Sequence, residues 1–401
     1  MGIFSKNKNK NKDKLVLVFD IKSSYVGGAL FWARESGIPK IIFSIREPIP
    51  IEKDIEANRF LSLTLKSLEV VANRVFTAGM GAPEQIFCVL SSLLYVSQTR
   101  IIELKKNTPF LFTSKLADDL IQKEVALFKE ENLEKYLRSG SPIELIELKN
   151  IKTMLNGYET PDPLNKKVRE LEMTIFISMG GQQILRKIEK IIRTHFHEAK
   201  IQFSSLALSS FAVVRDIYSH NEDFLLINIG GEVTDISMAK KNILRESISF
   251  PLGLNFMIRA VIEGLHCSLG EAESYIYLFK DGHADESMAK VLGPIIDKLK
   301  IEWLRKFQES LSNLSNDISV PATIYLSVDK EVATFFSETI KTEQFNQYTL
   351  TKSKFEVIFL GPEVFHGLAE FGENVVRETF LIMDSIYINR FLINCAKKGQ
   401  I

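Results

Sequence analysis

Two short stretches of the sequence join an apolar run to small, hydroxyl-bearing and acidic residues. The first reads LVLVFDIKSS (15–24) and the second reads LLINIGGEVTDIS (225–237). Small residues let backbone N–H groups approach a phosphate, and a carboxylate at a strand end can hold Mg²⁺ through its waters. The residues that could do this chemistry are Asp20, Ser23 and Ser24 in the first stretch and Gly230, Gly231, Thr234 and Asp235 in the second. Either stretch alone could be an ordinary hairpin, but two of them predict loops that hold a polyphosphate between them.

The elements predicted around the two stretches follow the same order. The pattern predicts strands at 15–19, 25–32 and 41–45 and a helix from about Asp54 in the first copy. The second copy continues from its glycine turn to a strand at 248–250 and a helix after Gly253. Such a repeat predicts an α/β protein with two pseudo-duplicated halves and a cleft between them.

Between the first helix and the second stretch, roughly 95 residues read as an inserted α+β module of one strand, a helix and two further strands. The pattern predicts a strand at 86–96, a helix that starts near Thr113 or Ser114, and two further strands. The second of these strands, 168–178, alternates cleanly: Leu171, Met173, Ile175 and Ile177 are expected on one face. Near the end of the chain, a helix at 373–392 is apolar on nearly every side, which favours a docked core helix over an amphipathic membrane anchor.

Composition limits the class of protein. Fifty basic and fifty acidic side chains cancel, so nucleic acid binding has no global electrostatic support. Cys88, Cys267 and Cys395 are isolated in sequence, which fits a reducing cytoplasm. The first 13 residues, MGIFSKNKNKNKD, predict a basic disordered tail that either only solubilises the protein or makes a weak contact with anionic lipid.

The order of these pieces resembles the actin-like ATPase superfamily and, within it, the bacterial FtsA and PilM group. LVFDIKSSYVGGAL resembles the first phosphate motif and LLINIGGEVTDISMA the second. SFPLGLNFMIRAV followed by GEAES resembles the segment that enters subdomain 2B, and SSLALSSFAVV resembles the helix before the second motif. NGYETPDPLNKKVRELEMTIFIS resembles the paired strands of the inserted subdomain 1C.

The resemblance implies an actin-like ATPase fold and a division into subdomains. A tail at 1–13 is followed by subdomain 1A at 14–83 and 181–222, subdomain 1C at 84–180, and subdomains 2A and 2B at 223–395. It implies ATP and Mg²⁺ as cofactors, with Asp20 and Asp235 beside the metal. The nucleotide-site residues implied are Asp20, Lys22, Ser23, Ser24, Asn228, Gly230, Gly231, Thr234, Asp235, Gly253 and Glu273.

Four positions depart from the motifs of a working nucleotide site. Lys22 replaces a glycine of the first motif, and Asn228 replaces the leading aspartate of the second. Ile276 occupies the place of a lysine that faces the ribose, and Ser327-Val328-Asp329 stands where paired glycines let the purine approach. We therefore expect weakened or lost nucleotide binding. The Lys22 ammonium either sits near Asp20 in place of the magnesium–phosphate pair or points to solvent, with Asn228 as a strand-end cap.

Three functions follow from the resemblance. The first is an FtsA-like scaffold in bacterial cell division, which binds an FtsZ-like filament and self-associates through subdomain 1C. The second is a PilM-like adaptor of type IV pilus assembly that binds a pilus-protein tail. The third is an active ATPase or phosphotransferase. We expect a cytoplasmic protein, peripheral at the inner membrane at most, with weak or indirect membrane contact.

Overall fold

The computed structural model describes residues 13–54, 56–137, 142–280, 283, 285–314, 319–342 and 354–394. The expected tail, apart from Asp13, and Cys395 lie outside these residues. The strands are β1 (Lys14–Ile21), β2 (Tyr25–Ala33), β3 (Lys40–Pro48), β4 (Gln85–Leu90), β5 (Tyr95–Phe112), β6 (Ile143–Leu155), β7 (Tyr158–Glu159), β8 (Lys166–Gly181), β9 (Lys200–Ser205), β10 (Phe224–Ile229), β11 (Thr234–Lys240), β12 (Ile243–Phe250), β13 (Thr323–Ser327), β14 (Glu356–Phe359) and β15 (Glu370–Phe371). The α-helices are α1 (Ala57–Thr77), α2 (Ser114–Leu137), α3 (Gln182–Arg193), α4 (Leu206–Ile217), α5 (Leu254–Leu265), α6 (Leu269–Lys280), α7 (Glu286–Leu314), α8 (Lys330–Thr342) and α9 (Thr379–Tyr387).

Two sheets share one strand topology. In the first, β3, β2 and β1 are antiparallel neighbours, and β4 and β9 follow parallel to β1, with β15 added at the β3 edge. In the second, β12, β11 and β10 are antiparallel neighbours, and β13 and β14 follow parallel to β10. The five-strand order is therefore repeated, and the expected duplication is confirmed.

The central strands β1 and β10 are apolar along nearly their whole length because both of their faces are covered. Every residue of β1 after Lys14 is buried, and so is every residue of β10. In parallel strands the carboxyl ends lie at one edge of the sheet. The β1–β2 and β10–β11 turns, which carry the predicted phosphate loops, therefore lie at such edges.

The inserted module is a four-stranded sheet, in the order β5-β8-β6-β7, with α2 packed against it. The predicted strand at 86–96 is wrong, since the chain turns at 91–94 and forms β4 in the first sheet and β5 in the inserted one. The expected helix start is confirmed, because Thr113 Oγ1 accepts from the Leu116 N–H at 3.2 Å.

Strand β8 alternates between buried and less buried residues only in its first half. From Met173 onward both faces are buried, because one face packs on the module's own core and Phe176, on the other, packs into the core of the first half. The four residues expected on one face, Leu171, Met173, Ile175 and Ile177, all lie in the module's core.

The predicted final helix is a core element, as expected. Helix α9 buries Leu381 to Tyr387 against α4, β1 and β2 and continues as a π-helical segment, Ile388–Asn394. It begins at Thr379 because the Glu378 carboxylate caps it, accepting from the Leu381 N–H at 2.8 Å. Among the described residues, no helix is long and apolar enough to cross a membrane.

Candidate functional site

The first predicted loop is the tight turn between β1 and β2. Asp20 stands opposite Gly27 of β2 and Val89 of β4, so its side chain emerges in the middle of the sheet and is fully buried. The turn closes through the Lys22 N–H, which donates to the Tyr25 carbonyl at 3.0 Å. It therefore places Lys22, Ser23 and Ser24 at the sheet's edge, as the sequence predicts.

Lys22 points into the protein. Its Nζ lies 3.4 Å from Asp20 Oδ1 and 3.6 Å from the ring centroid of Phe380, and 6% of its side chain is exposed. Of the two positions that the sequence leaves open for Lys22, the structure shows the one beside Asp20. Burial raises the pKa of Asp20, and the Lys22 ammonium opposes that rise.

Asp20 and Glu378, the residue that caps α9, contact the same tyrosine hydroxyl. The Tyr25 hydroxyl lies 3.1 Å from Asp20 Oδ2 and 2.9 Å from Glu378 Oε1. One hydroxyl proton cannot serve both carboxylates, so holding both contacts requires one carboxyl to be protonated. Burial, followed by the charge of Asp20, raises the pKa of Glu378 to about 7, which favours Glu378 as the protonated member near neutral pH.

The second loop lies directly against the first. The Glu232 N–H donates to Ser23 Oγ at 3.1 Å. A Cβ added at Gly230 would stand 2.7 Å from Ser23 Oγ, and one at Gly231 would stand 2.9 Å from the Cα and Cβ of Ser24. Because the two glycines have no side chain, the two loops can approach each other closely.

The amides at the start of α5 are already occupied. The Leu254 N–H donates to the Gly230 carbonyl at 2.9 Å and the Asn255 N–H donates to the Gly231 carbonyl at 2.8 Å. Free N–H groups at a helix N-terminus are what binds a phosphate in many nucleotide sites. Here they hold the second loop in place, with Gly253 packed against the two carbonyls.

Two arginine side chains also link the two halves across the cleft. The Arg259 guanidinium pairs with Glu232 in its own half and donates to the Glu52 carbonyl of the first half at 2.7 Å. Arg46 stacks over the Tyr25 ring at 4.0 Å and pairs with Asp329 at 3.3 Å. Asp329, which occupies the place expected for a glycine beside the purine, therefore links the second half to Arg46 of the first half.

A bound nucleotide does not fit this arrangement. The cavity between the loops measures about 30 Å³, room for about one water, whereas small-molecule sites measure about 300–1,000 Å³. Lys22 takes the face of Asp20 that a hydrated cation would need. Within the described residues, no group of three or more His, Cys, Asp or Glu side chains could hold a metal ion.

The remaining predicted residues do not all share this site. Thr234 turns into the core of the second half, where its hydroxyl donates to the Leu252 carbonyl at 2.7 Å and accepts from Trp303 Nε1 at 3.1 Å. Glu273 lies half-buried on α6 and lines neither cavity at the cleft, and Ile276 is a core residue. Because its hydroxyl is bonded to Leu252 and Trp303, Thr234 is a structural residue of this core.

Asn228 and Asp235 pair directly across β10 and β11 and line a second, larger cavity. This cavity, of about 500 Å³, lies between β5 and the end of α2 on one side and β11 and β12 on the other. Burial raises the pKa of Asp235 to about 6. A hydrogen bond with the Ser92 side chain and the charge of Lys22 lower this pKa, but by less than burial raises it. The walls are mainly hydroxyls, amides and carboxylates.

Sequence reasoning missed several residues of the closed site. Among them are Tyr25, Arg46, Glu378 and Asp384. The Asp384 carboxylate accepts from the Ser209 hydroxyl and interacts electrostatically with Asp20 and Lys22. An aspartate in the middle of an otherwise apolar predicted helix was an available signal for Asp384, because buried carboxylates need partners.

Comparisons with known proteins agree with this architecture. No family model matches the chain, and no curated protein matches it in sequence. A chain of the PilM–PilN type IV pilus biogenesis complex has a TM-score of 0.59 at 12% identity, over 96% of this chain and 98% of that one. Lower scores relate it to the ethanolamine utilization protein EutJ from Carboxydothermus hydrogenoformans (0.42, 11% identity, 95% and 90% covered) and to a Bacteroides thetaiotaomicron protein with an actin-like ATPase fold (0.39, 9% identity, 90% and 95% covered).

The first likeness covers both chains almost completely, and at 12% identity it shows the fold and nothing of the activity. Within this chain the same topology of five strands occurs twice, and the inserted module lies inside the first copy, between β4 and β9. The chain therefore has the actin-like ATPase fold, built from two pseudo-duplicated halves with an inserted α+β module.

Proposed function

We propose that this chain is a protein-binding adaptor that works without hydrolysing ATP. The Ser23–Glu232 hydrogen bond carries the proposal, because it joins the two loops across the space where a polyphosphate would lie. An active ATPase or phosphotransferase needs that space open and Asp20 free to face a hydrated metal. Neither ATP nor Mg²⁺ is a cofactor in this proposal.

The larger cavity is the binding site that we assign to the partner. It is flanked by Tyr95 to Gln98 of β5 and by Glu246 to Ser249 of β12. Each is an outer strand of its own sheet in the described chain, so each has backbone N–H and C=O groups on one side that no strand pairs. The two strands meet where Thr99 Oγ1 donates to the Leu244 carbonyl and flank the cavity beyond that point.

An extended peptide segment suits such a groove. Four residues in extended conformation span about 13 Å, which matches the length of the four-residue strand segments on each side. Backbone pairing along a strand edge supplies affinity, and side-chain pockets supply specificity. Asp235 and Glu246 add carboxylates to the wall, and Glu131 adds a third that is paired with Arg100. A segment with a lysine or arginine side chain is therefore the occupant with complementary charge.

Within this proposal, a PilM-like role is favoured. The PilM–PilN chain is a neighbour whose likeness covers nearly the whole length of both chains. The partner would then be the tail of a pilus membrane protein, and the adaptor would work in the cytoplasm next to the inner membrane. The FtsA-like role, with an FtsZ-like filament as partner and self-association through the inserted module, is the alternative.

We also propose a revised subdomain division. Strand β4 pairs with β1, so subdomain 1A would extend to the end of β4 and subdomain 1C would begin at Tyr95 instead of at 84. The segment from Leu360 through α9 would also belong to subdomain 1A, because β15 pairs with β3 and α9 packs on β1, β2 and α4, so subdomains 2A and 2B would run from 223 only to the end of β14.

The test is a pair of binding experiments on the full chain. A synthetic peptide of the pilus membrane protein's cytoplasmic tail, from the same organism, is titrated against the protein by fluorescence anisotropy. Co-sedimentation with FtsZ filaments is measured in parallel. We expect the peptide to bind, and the variant Ser249→Trp to weaken it at least about tenfold by filling the groove.

Ser274→Trp is the matched control, because Ser274 is also exposed but lies on α6 and does not line the groove. Binding that both tryptophan variants retain would place the partner elsewhere on the molecule. Co-sedimentation with FtsZ without peptide binding would replace the PilM-like role by the FtsA-like one. Failure of both partners to bind would contradict the adaptor.

A further inference from the structure

Helix α1 carries an apolar stripe that the rest of the described chain covers only in part. The stripe recurs at helical spacing and consists of Leu61, Leu65, Leu68, Ala72 and Val75. Leu68, Ala72 and Val75 are buried in the core of the first half. Leu61 and Leu65 are only half-buried, so the first part of the stripe stays partly open to solvent.

A groove of about 480 Å³ lies over this open part of α1 and is bounded on its other side by α3. We call it the α1–α3 groove. Helix α3 contributes Lys187 and Ile191, and α1 contributes Asn58, Leu61, Ser62, Leu65, Lys66 and Glu69. The positions on α1 follow the i, i+3, i+4, i+7 pattern of one helix face. The groove therefore runs along the axis of α1 for three turns, about 17 Å.

The floor of the α1–α3 groove is apolar and its rim is polar. Leu61, Leu65 and Ile191 are half-buried, and the last two also pack against the core of the first half. The other lining residues are polar or charged and are exposed. A recessed apolar floor with a polar rim is the usual anatomy of a protein–protein interface.

Positive charge predominates on the α3 side of the groove. Segment 182–200 contains five lysine and arginine residues and two glutamates, and Arg193 pairs with one of these glutamates. Within the part of the chain that the structure describes, three cations of α3 form no ion pair: Arg186, Lys187 and Lys190. Lys66 adds a cation from α1, and Glu69 is the one acidic residue of the lining. An occupant with negative charge on its flanks is thus complementary.

The shape of the groove selects among anionic partners. A membrane surface is entered by apolar side chains that project, whereas the apolar side chains here are recessed between two helices. Nucleic acid binding relies on a basic protein surface with aromatic stacking platforms, but the chain has no net charge and none of the described lining residues is aromatic. An amphipathic helix fits, because its apolar stripe can fill the floor while acidic residues on its flanks meet the cations.

We propose that the α1–α3 groove binds an acidic amphipathic helix of a partner protein. Three turns of such a helix, about 11 residues, match the length of the groove. The α1–α3 groove shares no lining residue with the groove between β5 and β12. The molecule therefore has two separate surfaces, one for an extended segment and one for a helix.

Fluorescence anisotropy with two synthetic peptides tests the charge of the occupant. The first peptide is an amphipathic helix of about 20 residues with leucines on one stripe and glutamates on both flanks, and the second has lysine in place of every glutamate. We expect the full chain to bind the acidic peptide at least about tenfold more tightly at about 50 mM NaCl. The difference should shrink at about 300 mM NaCl, because salt screens the exposed charges.

Two variants locate the site. Lys187→Glu/Lys190→Glu should weaken the acidic peptide about fivefold or more and strengthen the lysine peptide, a gain that an unfolded variant could not show. Ser62→Trp should weaken the acidic peptide at least about tenfold, because the new side chain fills the middle of the groove. The matched controls on other surfaces are Lys129→Glu/Lys298→Glu and Ala126→Trp, all at exposed helix positions outside the groove.

A lack of binding by the acidic peptide, or equal binding of the two peptides, would overturn the proposal. Binding of the acidic peptide that Ser62→Trp retains would overturn it as well. Co-sedimentation with phosphatidylglycerol vesicles that Lys187→Glu/Lys190→Glu abolishes, without binding of the acidic peptide, would assign the cations of α3 to a membrane instead. These outcomes are independent of the pilus-tail peptide, which binds another groove.

Discussion

The Glu232 N–H donates to Ser23 Oγ at 3.1 Å, a hydrogen bond that joins two loops 209 residues apart. In each half the loop follows the central strand, so this one bond connects the duplicated halves at the centre of the cleft. Two further contacts, Arg259–Glu52 and Arg46–Asp329, also connect the two halves. The closed cleft is thus built from the same loops that a nucleotide would use.

The first prediction concerns nucleotide. We expect no change in melting temperature when ATP is added with or without Mg²⁺, because the loops fill the phosphate space. The variant Lys22→Gly/Asn228→Asp restores the motif residues but leaves the Ser23–Glu232 contact, so it should give no shift either. Thermal denaturation followed by intrinsic fluorescence measures both.

A ligand at about 100 times its dissociation constant stabilises a protein by about 2.7 kcal/mol, which such a scan detects easily. A magnesium-dependent rise of several degrees in the unsubstituted protein would contradict the closed cleft. A rise in the double variant alone would show that charge, and not the loop contact, excludes the nucleotide.

The second prediction concerns the buried Lys22 ammonium. Lys22→Met keeps the packing on Phe380 but leaves Asp20 and Asp384 without their nearest cation. Removing one partner of a buried ion pair costs about 3 kcal/mol or more, so we expect a loss of this size in urea unfolding at pH 8. Burial raises the pKa of both carboxyls, so the loss should shrink at pH 5, where they are more readily protonated.

Lys66→Met on the exposed face of α1 is the control and should change the free energy of unfolding by less than about 0.5 kcal/mol. Equal effects of the two substitutions would mean that the Lys22–Asp20 contact does not form in solution.

The third prediction concerns the pH dependence of folding. The pKa of Glu378 is raised to about 7 in the folded protein, above its ordinary value near 4.5. The folded state therefore holds this proton more tightly, and stability is lost as the pH rises from about 4.5 through about 7. Glu378→Gln resembles the protonated form and can still accept from the Leu381 N–H. It should be as stable as the parent at pH 4 and about 2 kcal/mol more stable at pH 8, less than the full linkage value because Glu378 is partly exposed.

Urea unfolding between pH 4 and pH 8 gives the two curves, with the exposed Glu69→Gln as the control. Parallel curves for the parent and Glu378→Gln would show that the Tyr25–Glu378 pair does not hold a proton.

The sequence predicts the repeated strand order because each buried strand is an apolar run that ends in small or polar residues. It allows a Lys22–Asp20 contact, because both residues lie at one strand end, but it equally allows a Lys22 side chain that points to solvent. It does not predict Tyr25 against Glu378, because these residues are 353 positions apart and meet only once α9 has docked. It does not predict closure of the loops either, because Gly230 and Gly231 suit a phosphate and a neighbouring loop equally well.

The fourth prediction uses two glycines of different surroundings. A Cβ at Gly253 would stand 2.4 Å from the carbonyl oxygens of both Gly230 and Gly231, so Gly253→Ala must push the second loop away from α5. We expect a loss of about 2 kcal/mol or more in the free energy of unfolding. Gly270 lies in the first turn of α6 with nothing within 4 Å of an added Cβ and no proline after it, so Gly270→Ala should stabilise by up to about 1 kcal/mol. Equal signs for the two variants would contradict the contact between the loop and α5.

The fifth prediction separates two adjacent residues of the second motif. Thr234→Val removes the acceptor of the Trp303 indole N–H, and a buried unpaired donor costs about 1–3 kcal/mol. Because Thr234 faces the core, this variant should bind the pilus-tail peptide as the parent does.

Asp235→Asn should keep the stability of the protein but weaken peptide binding. It removes a carboxylate whose pKa burial raises to about 6, so stability at pH 8 should hold or rise. The groove loses a negative charge, so affinity for a lysine-containing tail should fall about fivefold or more. Urea unfolding and fluorescence anisotropy on the same preparations provide both readouts. If Thr234→Val lost peptide binding while Asp235→Asn kept it, the groove between β5 and β12 would not be the binding site.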